Sequence, residues 1–326
     1  MKNLKPLIIR GEDGMMTQHF PCSISKYQFK HIKNFLFTSN IFFMVLVIFN
    51  EKCLEYEQSG HPESAERVKL VYEYLKKKGL RFKKAETADM NDILLVHTRE
   101  HVESVRNNNF FDPDTPNIKD IYYYASLAAG SAIIAMKESR NDFTFSLARP
   151  PGHHASKTKL EGFCYFNNIA ISVEKAIRDK EAKKVAILDI DVHHGNGTQA
   201  IFYGRKDVLY ISLHQYGFIY PGTGGHSSEN CINFPLHAGT GEKEYMEKFK
   251  EAVDLVKDFK PEMLAISAGF DTYRLDPLAS LNLEKESYSK IAKEIKKLGI
   301  RSYAVLEGGY SKDIALLVHN FIKVFT

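Results

Sequence analysis

Only four of the 326 residues are cysteine, Cys22, Cys53, Cys164 and Cys231, and no two of them have the spacing of a disulfide framework. That sets aside the small disulfide-stapled secreted domains and points to a reducing interior, with the cytoplasm as the expected compartment. No apolar run reaches the roughly 20 residues that a spanning helix needs. Residues 41–49 are apolar, with Phe35, Leu36 and Phe37 close by, but Thr38-Ser39-Asn40 interrupts them. Their valine and isoleucine content predicts a buried first strand rather than a membrane anchor or a signal. Charge of one sign is not gathered anywhere. The 44 basic and 40 acidic residues leave a net charge of +4, spread along helices, and Lys76-Lys77-Lys78 and Lys183-Lys184 read as solvated faces. This pattern gives no ground for direct nucleic-acid binding. There is no internal repeat and no low-complexity linker.

What is present is a chain that is 44% hydrophobic, enough to bury a large core in one extended domain. Strand-like apolar runs alternate with amphipathic segments at residues 63–78, 242–259 and 283–298, and Gly79 and Gly299 stand where the first and last of these would stop. The alternation predicts an α/β fold with a parallel sheet covered on both faces.

The chemistry concentrates after four of the predicted strands. Residues 185–188 form an apolar run that ends in Asp189-Ile190-Asp191-Val192-His193-His194-Gly195-Asn196-Gly197. Side chains alternate across a strand, so Asp189, Asp191 and His193 are expected on one face, where buried carboxylates call for a cation. Residues 143–147 run out into Arg149-Pro150-Pro151-Gly152-His153-His154. Residues 263–268 lead to Gly269-Phe270-Asp271, and residues 303–306 to Glu307-Gly308-Gly309-Tyr310. Ligands of open parallel sheets bind outside the carboxyl ends of the strands. Taken singly each group has a plain alternative: solvated histidines, an N-cap role for Asp271, loop packing for Tyr310. Together they are coherent. Two carboxylates and an imidazole leave room for water and substrate, as a catalytic zinc site does. An imidazole can move a proton from water to a leaving amine, and a phenol can donate to the oxyanion. Hydrolysis of an amide is the reaction this set predicts.

The residues resemble the zinc-dependent histone deacetylase family, which includes acetylpolyamine amidohydrolases and acetoin-utilisation proteins. The resemblance runs from about Met44 to the C-terminus through His61-Pro62-Glu63, Asp114-Thr115-Pro116, RPPGHHA at 149–155, GFCYFNN at 162–168, DIDVHHGNGTQ at 189–199, YISLH at 210–214, YPGTG at 220–224, SAGFD at 267–271, DPL at 276–278 and LEGGY at 306–310. It implies the three-layer α/β/α arginase/deacetylase fold with a mainly parallel eight-stranded sheet. It also implies that Asp191, His193 and Asp271 hold zinc, that His154 is the general base and acid with His153 as its electrostatic partner, and that Tyr310 is the transition-state phenol. Phe163 and Tyr220 match the walls of a narrow acyl channel, with Gly162 beside them, and Asp114 matches a rim carboxylate. A potassium site would use Asp189, Asp191, His193, Ser212 and Leu213.

Asn196 stands where some relatives have aspartate, in agreement with the class II-like branch, and its amide would orient the imidazole without adding charge. Leu278, next to Pro277, offers no carboxylate for the second ammonium of a polyamine, which favours acetyl-lysine or another acetylated amine. Ferrous iron suits the same ligands as zinc. Residues 1–43 carry nothing family-like, so residues 44–326 are expected to be a single deacetylase domain with Met44 as the natural start. Two other functions stay open at this level. A binuclear manganese ureohydrolase would need a carboxylate two residues after His193, where Gly195 stands. A silent binder of acetylated ligands, or a regulatory protein, would keep the pocket without turnover. The oligomeric state is not legible in the residues.

Overall fold

The computed structural model describes residues 45–326, so the expectations for residues 1–43, for Cys22 and for the start of the first apolar run lie outside the described residues. Eight strands form one sheet in the order β2-β1-β3-β8-β7-β4-β5-β6. They are β1 (Leu46–Phe49), β2 (Arg81–Lys84), β3 (Thr144–Ser146), β4 (Val185–Asp189), β5 (Val208–Gln215), β6 (Cys231–Leu236), β7 (Met263–Ala268) and β8 (Ser302–Leu306). Every pairing is parallel, so the sheet is more uniform than the mainly parallel one expected.

Among the described residues the helices are α1 (Ala65–Lys77), α2 (Met90–Ile93), α3 (Arg99–Arg106), α4 (Ile121–Glu138), α5 (Asn168–Arg178), α6 (Asn196–Phe202), α7 (Glu242–Phe259), α8 (Ser287–Lys297) and α9 (Ile314–Ile322). None is long and apolar enough to cross a membrane. The predicted helix at 242–259 has these bounds, while those at 63–78 and 283–298 are trimmed to α1 and α8. Gly79 and Gly299 follow these two helices with φ of +76° and +64°, the left-handed turn that ends a helix.

Every residue of β4, β5 and β7 is buried, which means that both faces of the sheet centre are covered. The edge strand β2, Arg81-Phe82-Lys83-Lys84, is mostly exposed and charged, as an edge must be to resist further pairing. Cys53, Cys164 and Cys231 are free thiols inside the protein. One expectation is corrected here. Strand β4 stops at Asp189, so alternation does not extend to Asp191 and His193; they sit in the turn beyond the sheet and are aimed by hydrogen bonds instead.

Candidate functional site

The turn after β4 is held by its own side chains. Asp189 Oδ1 accepts from the Asp191 amide at 3.2 Å, and Asp191 Oδ1 accepts from the His193 amide at 2.9 Å. Across the sheet, Asp271 follows β7, and its Oδ1 accepts from the Val192 amide at 2.8 Å. Gly308, after β8, donates its amide to Asp191 Oδ2 at 2.7 Å. Three neighbouring strands, β4, β7 and β8, thus converge on one point. There, one ligand atom from each of Asp191, His193 and Asp271 lies within 4.8 Å of the others. Asp271 carries no helix behind it, so the capping alternative is not what this residue does.

The donor set fits a divalent cation. Asp271 Oδ2 is buried and lies 3.3 Å from His193 Nδ1 without forming a hydrogen bond, and an unpaired buried carboxylate oxygen is costly. Burial and the neighbouring Asp191 push the Asp271 carboxyl up to about 7. Burial opposes charge on His193 as well, but the carboxylates of Asp191 and Asp271 outweigh it and hold the imidazole up at about 10. The cluster therefore keeps a proton where a cation fits.

The two histidines after β3 face different partners. Glu307 Oε2 accepts from the amides of Gly152 and His153 at 2.7 and 3.2 Å, which fixes the turn. His153 Nδ1 meets Asp189 Oδ2 at 3.1 Å. Burial disfavours its charge, yet Asp189 and Asp191 prevail and raise it to about 10. His154 Nδ1 meets Asn196 Oδ1 at 2.8 Å. Burial, then the positive His153 and His193, hold His154 well below its ordinary range, so it is a neutral imidazole at pH 7.

Tyr310 closes the far side. Its amide donates to Asp276 Oδ2 at 2.6 Å, and Arg67 of α1 spans the preceding loop, donating Nε to Gly309 O and Nη2 to Glu307 O, each at 2.6 Å. Burial pushes the phenol well above its usual range, so it keeps its hydrogen and can donate. A cleft of about 380 Å³ opens onto these groups, and Asp114, Gly162, Phe163, Tyr220 and Leu278 all line it. The Tyr220 ring stands edge-on to His154, with centroids 4.9 Å apart and planes at 86°. Phe163 faces Tyr310 at 6.0 Å. Ser212 and Leu213 lie on buried β5 outside the cleft lining, Ser212 in register with Asp189.

Sequence reasoning missed four participants. Arg67 was legible only as the partner of Glu63 four residues earlier, an ion pair of 3.3 Å. Asp276 and Glu307 lie inside motifs that were read, but nothing in one dimension says that their carboxylates hold the backbone of residues 310 and 152. Arg149 likewise anchors the site from beneath: it is fully buried and forks onto Glu63 at 2.7 and 2.8 Å.

A neutral base, a phenolic donor and a place for one cation, all facing a narrow cleft, are the requirements of amide hydrolysis, and the class is an α/β amidohydrolase. The histone deacetylase domain matches residues 61–324, and the chain belongs to the histone deacetylase family. It is 38% identical over 275 residues to a probable deacetylase of Methanothermobacter thermautotrophicus, covering 79% of this chain and 83% of that one. It is 39% identical over 301 residues to a probable deacetylase of Archaeoglobus fulgidus, covering 84% and 83%. The crystal structure of the HDA15 HD domain superposes with a TM-score of 0.82 at 35% identity, over 86% of this chain and 88% of that one. An acetylpolyamine aminohydrolase from Burkholderia pseudomallei superposes with a TM-score of 0.81 at 25% identity, over 86% and 98%. The fold is that of the arginase/deacetylase group, and the protein is a metal-dependent deacetylase by family.

Proposed function

We propose that this protein is a zinc amidohydrolase that removes the acetyl group from an acetylated amine such as acetyl-lysine. Asp191, His193 and Asp271 would hold the ion, ferrous iron being the other metal suited to these donors. Bound there, the ion supplies Lewis acidity, polarising the amide carbonyl and making water nucleophilic near neutral pH. Each remaining step belongs to the protein. His154 Nε2 takes the proton of the attacking water as its oxygen bonds to the carbonyl carbon. Tyr310 donates its hydroxyl hydrogen to the oxyanion, a contribution of about 3–4 kcal/mol for one well-placed donor. The carbon–nitrogen bond then breaks as His154 returns the proton to the amine, leaving acetic acid and the free amine, which separate as acetate and an ammonium at neutral pH. His153, charged and held by Asp189, keeps His154 neutral and ready.

The observation that carries this reading is the His154–Tyr220–Phe163–Tyr310 channel, aromatic on its sides and polar at its floor, which suits an extended acyl-amine chain. Asp114 at the rim would orient the substrate backbone, and Leu278 leaves a polyamine's second ammonium without a partner on its side. Potassium is proposed at Asp189, Asp191, His193, Ser212 and Leu213. The Asp189 carboxylate is already engaged by His153, Tyr210 and the Asp191 amide, and the Ser212 hydroxyl meets His214 Nδ1 at 2.8 Å, so backbone carbonyls would supply most of that ion's ligands. Residues 44–326 are proposed to carry the activity, in the cytoplasm, where the free thiols remain reduced.

One zinc-loaded preparation would be assayed against an acetyl-lysine peptide, acetylated spermidine or putrescine, and free acetyl-lysine. Turnover of the peptide, lost in Tyr310→Phe with zinc retained, is expected. Preference for the polyamine would move the substrate class. Hydrolysis of none of them would leave a silent acetyl-ligand binder as the better reading.

A further inference from the structure

Behind His154 the hydrogen-bond chain does not end at Asn196. Asn196 Nδ2 donates to Glu161 Oε1 at 2.8 Å, and the other oxygen of Glu161 pairs with Lys159. Glu161 belongs to the turn that shapes the channel. Its backbone exchanges hydrogen bonds with Cys164 at 3.2 and 3.0 Å around Gly162 and Phe163, which have φ of +57° and +70°. The turn presses on the catalytic imidazole, since a Cβ at Gly162 would lie 2.6 Å from His154 Cδ2. The Glu161 side chain is only 15% exposed, whereas that of Lys159 is 62% exposed. The same turn therefore sets Phe163 in the channel wall and Glu161 behind the base.

We propose that Glu161 is a positioning residue that fixes the tautomer of His154 through the Asn196 amide. An asparagine amide offers a donor at one end and an acceptor at the other, and nothing intrinsic decides which end faces the imidazole. A carboxylate only accepts. It draws the Asn196 NH2 towards itself and leaves the carbonyl oxygen for His154 Nδ1. That nitrogen must then carry the hydrogen, and Nε2 is left with the lone pair that accepts a proton from water. The reversed amide would put the hydrogen on Nε2 and remove the base. Where an aspartate stands at this position no such choice exists, because both of its oxygens accept. Glu161 supplies the missing direction from one residue further out.

The mechanistic consequence rests on His154 acting as the base, but the tautomer itself is observable without turnover. Imidazole nitrogen-15 spectra of the zinc-loaded and metal-free protein at neutral pH should show the His154 hydrogen on Nδ1. In Glu161→Gln, whose amide tolerates either orientation, a second population with the hydrogen on Nε2 should appear. In kinetics, Glu161→Gln should lower kcat roughly threefold to tenfold with KM little changed, part of the loss expected when a general base is misplaced. In the Asn196→Asp background the same substitution should cost nothing or raise kcat, since it removes a like charge and no amide remains to orient. A hydrogen found on Nε2 in the unsubstituted protein, spectra unchanged in Glu161→Gln, or an equal loss of kcat in both backgrounds would overturn the proposal. If no acetylamine is hydrolysed by any variant, the deacetylase reading fails, and the spectra alone still decide the role of Glu161.

Discussion

The guanidinium carbon of Arg67 lies 4.8 Å from the centre of the Tyr310 ring, while its nitrogens hold the carbonyls of Glu307 and Gly309. A cation stacked on the phenol and clamping its loop links α1, the first α-helix of the described residues, to the last catalytic segment. Arg67→Ala would strand two buried carbonyls and part of the Glu63 charge, at about 1–3 kcal/mol for each unsatisfied group. Thermal melting should show clear destabilisation, and kcat should fall at least roughly tenfold as Tyr310 loses its anchor. Arg67→Lys should rescue little, because an ammonium cannot fork to both carbonyls. Normal kcat in a folded Arg67→Ala protein would remove the clamp from the mechanism.

Metal uptake should depend on pH in a definite direction. His193, held at about 10, and Asp271, raised to about 7, keep protons in the metal-free cluster that an ion must displace. Affinity should therefore rise with pH through the neutral range and weaken as acid is added. Calorimetric titration in buffers of different ionisation heat should register proton release. Asp271→Asn should lose the metal-dependent rise in melting temperature, whereas Tyr310→Phe should keep it.

Gly308→Ala tests the packing of the cluster. The added methyl would lie 2.1 Å from Asp271 Oδ2 and 2.6 Å from Asp191 Oδ2, on backbone that also donates to Asp191. Neither carboxylate has slack, so metal binding should be abolished and stability should drop by about 1–3 kcal/mol, as for other overpacked interiors. Metal content after purification is the readout; a full complement of ion would contradict the tight cradle.

Acid should destabilise the fold through its buried neutral histidines. His97 accepts the Asn167 amide on Nε2 at 2.9 Å and faces Ser156 O with Nδ1 at 2.8 Å, and burial holds it neutral down to about 3. Burial, with His194 adding to it, holds His214 at about 3 as well. In the unfolded chain both take a proton near 6.5. The unfolded state thus binds more protons between these values, so stability is complete above 6.5 and falls as pH drops towards 3, by up to about 1.4 kcal/mol per pH unit for each group. Urea unfolding at a series of pH values should show this slope, reduced in His97→Gln. A slope unchanged in His97→Gln would exclude His97 as a source.

The residues brought together in the cleft were nearly all legible in sequence, because strand ends of a parallel sheet share one side and their loops had distinctive residue types. Asp191, His193, Asp271, His154 and Tyr310 could be grouped without coordinates on that ground. The expected common strand face for Asp189, Asp191 and His193 was not realised, since β4 stops at Asp189 and the chain turns. Periodicity says nothing past a strand end. The supporting groups, Arg67, Arg149, Asp276 and Glu307, and Glu161 behind Asn196, escaped for a related reason. Each works through a backbone amide, a carbonyl or another side chain far along the chain, and such pairings leave no spacing signal.

The last of the described strands in chain order, β8, is inserted between β3 and β7, so without it the β2-β1-β3 and β7-β4-β5-β6 groups share no edge. A nascent chain that has emerged only as far as residue 300 therefore holds its histidine pair on one fragment and its carboxylates on the other. A chain cut before residue 302 would lack both the strand that joins the two groups and Tyr310 beyond it, so it is expected to lose the site outright rather than to work more slowly.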